Sequence, residues 1–404
     1  MKTPDIIEQK TDEWIGIRRD IHAHPELRFE EFRTSSLVAD RLRALGIDVH
    51  TGIGGTGVVG VLKGSAINAD GAVRSIGLRA DMDALPIQER NTFAHASTFA
   101  GRMHACGHDG HVAMLLGAAE ALSQIRDTFA GTVVFIFQPA EEGGAGAKRM
   151  MEDGLFTRFP VDAVFAMQNW PGLPEGEFAV RCGPMMGSSN EFELVIRGKG
   201  AHAAMPDLGI DPVVLACQVV NAWQTIISRV RAPLDPAVIS VTQIRAGEAI
   251  NVIPETATLA GTVRTFRLET LDMIESRMRE VATQICAGFG AEARFSFKRQ
   301  YPPLINDDAA TRFFQRVLQG MDGVKKVHDN LDPTMGAEDF AFMLQEKPGS
   351  YVWIGNGGGQ HRSAGHGLGP CTLHNPSYDF NDTILPLGVR VWMSLTQRFL
   401  KEGL

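Results

Sequence analysis

Apolar and polar positions change rhythm twice along this chain. Apolar residues recur at helical spacing over Asp5–Ile21 and Glu30–Leu45, and Gly46 stops the second run. Val58–Leu62 and Ser75–Leu78 are short apolar runs that predict strands. His111–Ser123 is small and apolar and predicts a helix. Thr132–Phe137 (TVVFIF) is a continuous β-branched and aromatic run, the pattern of a strand covered on both faces, and Val161–Met167 is similar. Strands alternating with helices predict an α/β domain.

The middle of the chain reads differently. Asn190–Arg197 (NEFELVIR) and Thr256–Arg264 (TATLAGTVR) alternate and predict half-buried strands. Pro212–Arg231 and Glu269–Phe289 predict long helices. Together they suggest an α+β unit of roughly 110 residues, entered at Gly183-Pro184 and left at Tyr301-Pro302-Pro303. The α/β pattern then resumes. The expected organisation is an α/β domain of residues 1–184 and 301–404, with a mixed central sheet flanked by helices, and an α+β domain of residues 185–300 inserted into it.

Composition narrows the function classes. At 404 residues the chain is about twice what one core usually holds. A net charge of −8 without a basic run makes nucleic acid an unexpected partner. Five scattered cysteines, an odd number, fit a reducing compartment rather than a disulfide framework. The segment Met1–Trp14 is polar, with no apolar signal core, so a cytoplasmic location is expected. No run of about 18 consecutive apolar residues predicts a membrane span.

The chemistry concentrates in Met103-His104-Ala105-Cys106-Gly107-His108-Asp109-Gly110-His111, where three histidines, a cysteine and an aspartate fall within nine residues. Sulfur, imidazole and carboxylate together favour a borderline divalent cation such as zinc, with manganese or cobalt as alternatives. No second ligand pair accompanies the run, so a catalytic metal site fits better than a closed structural one; a buried polar turn is the other reading. Arg79-Ala80-Asp81-Met82-Asp83, Gln138-Pro139-Ala140-Glu141-Glu142 and Gln168-Asn169-Trp170 each follow a predicted strand. In open α/β sheets sites gather beyond the carboxyl ends of strands, so these motifs are expected to converge. On extended backbone Glu141 and Glu142 point apart, one free to bind metal and the other to take a proton from water; a solvated loop start before Gly143-Gly144 is the alternative.

His104–His111, Gln138–Glu142, Gly200-Ala201-His202-Ala203-Ala204-Met205-Pro206 and His374-Asn375-Pro376-Ser377-Tyr378-Asp379-Phe380 resemble the hippurate hydrolase and N-acyl-amino-acid amidohydrolase family, which includes indole-acetyl-amino-acid hydrolases and belongs to the zinc aminoacylase/carboxypeptidase group. The resemblance runs from about His22 to the C-terminus. It implies a metal-dependent amidohydrolase acting on small N-acyl amino acids. Cys106, His108, Glu142 and His374 would be ligands for one or two divalent ions: zinc or manganese, with cobalt or nickel as alternatives. Glu141 would be the general base, His202 would stabilise the oxyanion, and Asn251 would hold the substrate carboxylate. The inserted domain would be a lid and the surface of a homodimer. Where the family has His-Asn-Trp-Pro, this chain has Gln168-Asn169-Trp170-Pro171, so Gln168 stands at a ligand position with only a neutral carbonyl oxygen to offer. The substitution keeps open a second reading, a catalytically impaired ligand-binding or regulatory member.

Asp83 and Asp109 are read as carboxylates orienting the ligand imidazoles; Asp109 suits a helix cap equally well. His22 and His24 end a helix. His361 and His366 flank a glycine-rich loop near His374, and His50, His95 and His328 are expected at the surface.

Overall fold

The apolar run TVVFIF becomes the strand Thr132–Gln138, buried along nearly its whole length. It lies beside Ser75–Asp81, whose other neighbour is Ala163–Trp170, and Gly349–Gly355 follows; these four strands are parallel. Antiparallel strands flank the block, Gly57–Lys63 on one side and Glu177–Ala179 on the other. Asp48–Ile53 and Lys326–His328 complete an eight-stranded mixed sheet. The computed structural model describes residues 3–404, so Met1 and Lys2 at the head of the polar N-terminal segment lie outside the described residues.

The chain divides into two compact units. The first comprises Met1–Gly183, Asn306–Asp332 and Asp339–Leu404, and the second Pro184–Ile305 with Pro333–Glu338. The short return Pro333–Glu338 has no composition change to announce it.

In the first unit the helix His108–Gln124 is buried along most of its length. The helices Thr3–Ala23 and Leu385–Glu402 pack on it, and Trp14, Leu115, Trp392 and Leu395 share its core. Each such fully buried side chain contributes about 1.5–3 kcal/mol. The helix starts three residues earlier than its apolar pattern, because Gly107 takes φ 88° and turns the chain into it. His108 is therefore the first helical residue and faces the carboxyl ends of the parallel strands.

The second unit is a four-stranded antiparallel sheet in the order Ala237–Ala246, Thr256–Thr265, Ser189–Arg197, Glu292–Tyr301, with two helices on it. Neither outer strand is among those the apolar pattern predicts. Ala237–Ala246 is largely exposed, so its pattern carries little burial signal. Glu292–Tyr301 does alternate, with Phe295 and Phe297 inward, and could have been found. The segment Pro212–Val230 is long and apolar enough to cross a membrane by length and composition alone, although polar residues interrupt it. Here it packs one face, Leu215, Val219, Trp223 and Ile226, on the unit's own sheet and exposes Gln218, Asn221 and Gln224.

Candidate functional site

Three polar motifs meet because their strands are parallel neighbours. Asp81 and Gln138 end adjacent strands, and Gln168 lies two residues before the end of the third, on the same edge of the sheet. Cys106 and His108 are brought to that edge by the turn at Gly107, and His374 by its N–H bond to Ala105 O at 2.8 Å.

Cys106, Glu142 and His374 can each place a ligand atom within 4.8 Å of the other two, and so can His108, Glu141 and Glu142. Glu142 Oε1 lies 3.1 Å from His374 Nε2, yet it is buried without a hydrogen bond of acceptable geometry. The neighbouring Cys106 and Glu142 push the His374 imidazole up to about 10. A buried carboxylate oxygen without a well-formed hydrogen bond and an imidazole driven toward positive charge are what a cation between them would satisfy. The sulfur, nitrogen and oxygen donors suit a divalent metal.

The backbone around these donors is strained. Among the described residues four non-glycines have positive φ, and two of them bear on the donors directly: Ala140 at 54° and His374 at 61°. Left-handed backbone at such residues costs about 1–3 kcal/mol and persists only where the surroundings enforce it. Glu141 and Glu142 therefore do not point apart as on a pleated strand but approach one donor set: Glu142 has φ −71° and ψ 71°, and Gly143 φ 80°. The expectation of extended backbone there is corrected. Glu31 fastens the turn. Its Oε1 accepts the N–H groups of Ala140 and Phe29, both at 2.9 Å, and Thr56 donates to its other oxygen. Burial pushes the Glu31 carboxyl up to about 7.

Asp83 holds two donors in place. His108 Nδ1 donates to the Asp83 carbonyl at 2.8 Å and lies 3.3 Å from its carboxylate, leaving Nε2 for a ligand. The other carboxylate oxygen accepts the Glu142 N–H at 2.9 Å. Burial opposes a charge on His108, but Asp81 and Cys106 hold its imidazole well above the usual range. Asp109 does something else: it meets Arg18 Nε and His22 Nδ1, both at 2.9 Å, so neither the orienting role nor the helix cap describes it. Burial works against ionising Asp109, yet Arg18 and His22 hold it below the usual carboxylate range.

Of the other histidines in the run, His111 is committed at both nitrogens. Nδ1 donates to Asp81 at 2.6 Å, and Nε2 accepts the Asn169 N–H at 3.0 Å. His104 is buried with neither nitrogen bonded, and burial pushes it down to about 3. Gln168 is buried with its carboxamide nitrogen, not its oxygen, toward Cys106. It therefore does not present the carbonyl ligand that its position suggested.

His366 Nε2 contacts Asp379 at 3.0 Å, and His361 Nε2 contacts the Asp379 carbonyl at 3.3 Å, away from the metal donors. His95 is not a surface residue: it stacks on Phe93 with ring centroids 3.9 Å apart. His328 is half-buried against Glu177 at 2.6 Å.

In the second unit, His202 and Asn251 come together across 49 residues of sequence. Ala201–His202 pairs with Val252–Ile253, and the Ala203 N–H bonds Asn251 O at 3.0 Å. His202 Nδ1 accepts the Ala204 N–H at 3.1 Å, so a neutral ring carries its proton on Nε2.

Glu31, Asp339 and Tyr351, whose hydroxyl donates to Gln168 Oε1 at 3.1 Å, were not found from sequence. Asp339 accepts from Arg79 at 3.2 Å, Gln138 at 2.8 Å and the Ala147 N–H at 2.8 Å, tying two strand ends together. Each is a single residue without a local motif, and its burial is the only signal.

Comparisons with known proteins place the chain in a family. Residues 77–398 match the family described as Peptidase family M20/M25/M40. An N-acetylcysteine deacetylase of Bacillus subtilis is 40% identical, over 94% of this chain and 95% of its own length. The hippurate hydrolase of Campylobacter jejuni is 38% identical, over 98% and 99%. IAA-amino acid hydrolase ILR1-like 2 of Arabidopsis thaliana is also 38% identical, over 99% and 87%. The crystal structure of Bacillus subtilis YXEP protein, described as a dinuclear metal binding peptidase from the M20 family, superposes with a TM-score of 0.82 at 35% identity, covering 98% of this chain and 99% of that one. The chain belongs to peptidase family M20/M25/M40 and is a metallo-amidohydrolase of its hippurate hydrolase and N-acyl-amino-acid amidohydrolase group.

Proposed function

We propose that the protein hydrolyses the amide bond of small N-acyl amino acids, with a divalent cation, zinc or manganese, held by Cys106, Glu142 and His374, and with His108 beside them. The observation that carries this reading is the approach of Glu141 to the donor set, within 4.8 Å of ligand atoms on His108 and Glu142. A cation there supplies Lewis acidity to the scissile carbonyl and to the attacking water. Glu141 takes the water's proton and hands it to the leaving amine. Asp83 keeps His108 and Glu142 aimed, and Glu31 keeps the Ala140 turn from relaxing. His202, with its proton on Nε2, donates to the oxyanion, and Asn251 binds the substrate's carboxylate through its carboxamide. Names of relatives that act on hippurate, IAA-amino acids and N-acetylcysteine support this substrate class.

The inserted unit serves as lid and homodimer surface in this proposal. Its outer strand Ala237–Ala246 offers an unpaired edge with Ile244 exposed, and symmetric pairing of such edges is one economical cover. The five free cysteines suit a reducing cytoplasm.

The test is amine release from a panel of N-acetyl, benzoyl and indole-acetyl amino acids by the metal-loaded protein. Glu141→Ala, folded and metal-loaded, is expected to lose about 10²–10⁴-fold in turnover. Near-normal turnover by that variant would sink the mechanism. The second reading, an impaired binding protein, draws on Gln168 alone and is rejected by robust wild-type turnover.

A further inference from the structure

The strand Ala163–Trp170 delivers Gln168 to the site where the family pattern has histidine, and the side chain has a definite orientation. Its Nε2 lies 3.3 Å from the carbonyl oxygen of Cys106 and 3.4 Å from Cys106 Sγ, while its Oε1 accepts the Tyr351 hydroxyl at 3.1 Å. Chemistry sets this orientation. A carbonyl oxygen has no proton to give, so the atom facing Cys106 O has to be the amide nitrogen. Turning the carboxamide over would place two acceptors face to face in a site where Gln168 is 4% exposed. The surroundings are fixed as well. Asn169 Nδ2 donates to the same Cys106 carbonyl at 2.6 Å, and its Oδ1 accepts from Tyr378 at 2.7 Å.

A carboxamide held this way presents hydrogens, not lone pairs, to the space beside the Cys106 sulfur. An N–H donor stabilises a thiolate and excludes a cation from the same position. Cys106, Glu142 and His374 meet within 4.8 Å without Gln168. Three protein donors with a position left open is the composition of a catalytic zinc site. A second locus, beside His108, would rely on the remaining electron pairs of Cys106 and on Glu141, the proposed base.

We propose that this chain holds one tightly bound divalent cation, on Cys106, Glu142 and His374, and that the Gln168 N–H donating to the Cys106 sulfur stands where a second ion would sit. The inference rests on the metallohydrolase reading and separates this chain from its dinuclear relative.

Metal stoichiometry tests it without reference to turnover. Chelator-stripped wild-type protein is dialysed against zinc, then against buffer, and metal per chain is counted by mass spectrometry. Cobalt(II) titration follows the thiolate-to-cobalt charge-transfer band in parallel. One retained zinc, with the band saturating at one equivalent, is the expected result. Gln168→His is expected to retain two. Two tightly held ions in the wild type would overturn the inference and leave the hydrolase reading standing. No retained ion would overturn both. A folded Gln168→His chain that stays at one ion would show that the carboxamide is not what excludes the second. The wild-type count decides the question even if the variant does not fold.

Discussion

Removing the charge of His22 should reveal a pH-dependent part of the stability that the buried network creates. Arg18, His22 and Asp109 are all fully buried, and Asp379 is nearly so. His22 Nδ1 faces Asp109 at 2.9 Å, and Nε2 faces Glu89 at 3.2 Å. Burial alone would lower the imidazole's pKa, but Asp109 and Glu89 overcome it and push it up to about 9, against the opposing charge of Arg18. A move from 6.5 to about 9, at about 1.4 kcal/mol for each pH unit, corresponds to about 3 kcal/mol. The sign follows from linkage. The folded protein holds this proton more tightly than the unfolded chain, so the contribution is full below pH 6.5 and is lost as pH rises through about 9. His22→Gln keeps hydrogen-bonding capacity but cannot be charged, and Asp109 retains Arg18. Urea unfolding of both proteins from pH about 6 to about 10 should show the wild type's advantage shrinking by about 3 kcal/mol across that range. Proton NMR of the His22 ring should titrate with a midpoint near the upper end. Parallel stability curves, or a midpoint near the free imidazole value, would refute the reasoning.

Other outcomes follow from the same geometry. Asp83→Asn should weaken metal binding by about 10–100-fold in chelator competition, because His108 and Glu142 lose the carboxylate that aims them; unchanged affinity would remove Asp83 from that role. Gly107→Ala forces a side chain onto backbone at φ 88°, and its Cβ would overlap Asn169 and Tyr378. It should destabilise the protein by about 1–3 kcal/mol from backbone strain alone and release metal together with unfolding. Mixing His202→Ala with Glu141→Ala under conditions of subunit exchange should raise activity well above either parent if His202 serves a partner's site; no rise, with exchange verified, would confine it to its own chain.

Legibility in the sequence followed locality. Cys106 and His108 were readable because ligand chemistry and spacing sit in one turn, and Glu141 and Glu142 because two adjacent carboxylates after a buried strand need an explanation. Convergence of Asp81, Gln138 and Gln168 could be anticipated because three apolar strands announced themselves, and parallel neighbours align their ends. The roles of Asp83 and Asp109 could not be separated, since both are single carboxylates near histidines. Only the fold shows that one reaches His108 and the other His22. Glu31 lies 109 residues from the backbone it fastens, and nothing near it in sequence marks it. The edge strand Ala237–Ala246 was invisible for the opposite reason: a surface that buries little leaves little pattern.

Backbone strain at this edge of the sheet has a consistent physical role. A parallel strand delivers its last residue in an extended direction, and two consecutive glutamates would leave it on opposite faces. To bring both carboxylates near one donor set, the chain turns sharply at Ala140, at φ 54°, and continues through Glu142 and Gly143 in non-helical conformations. Left alone, that turn would relax. It is pinned from below by Glu31 on the Ala140 N–H and from the side by Asp83 on the Glu142 N–H, both at 2.9 Å. His374 is held in the same way, with φ at 61° and its N–H on Ala105 O, one residue before Cys106. The strained residues thus sit immediately at the donors, and each is tied by a bond whose partner is buried. This arrangement sets donor positions before any cation or substrate arrives. A catalytic site gains from that order, because reorganisation need not accompany the reaction. A loop free to adjust could bind a ligand equally well and would not need left-handed backbone at an alanine and a histidine.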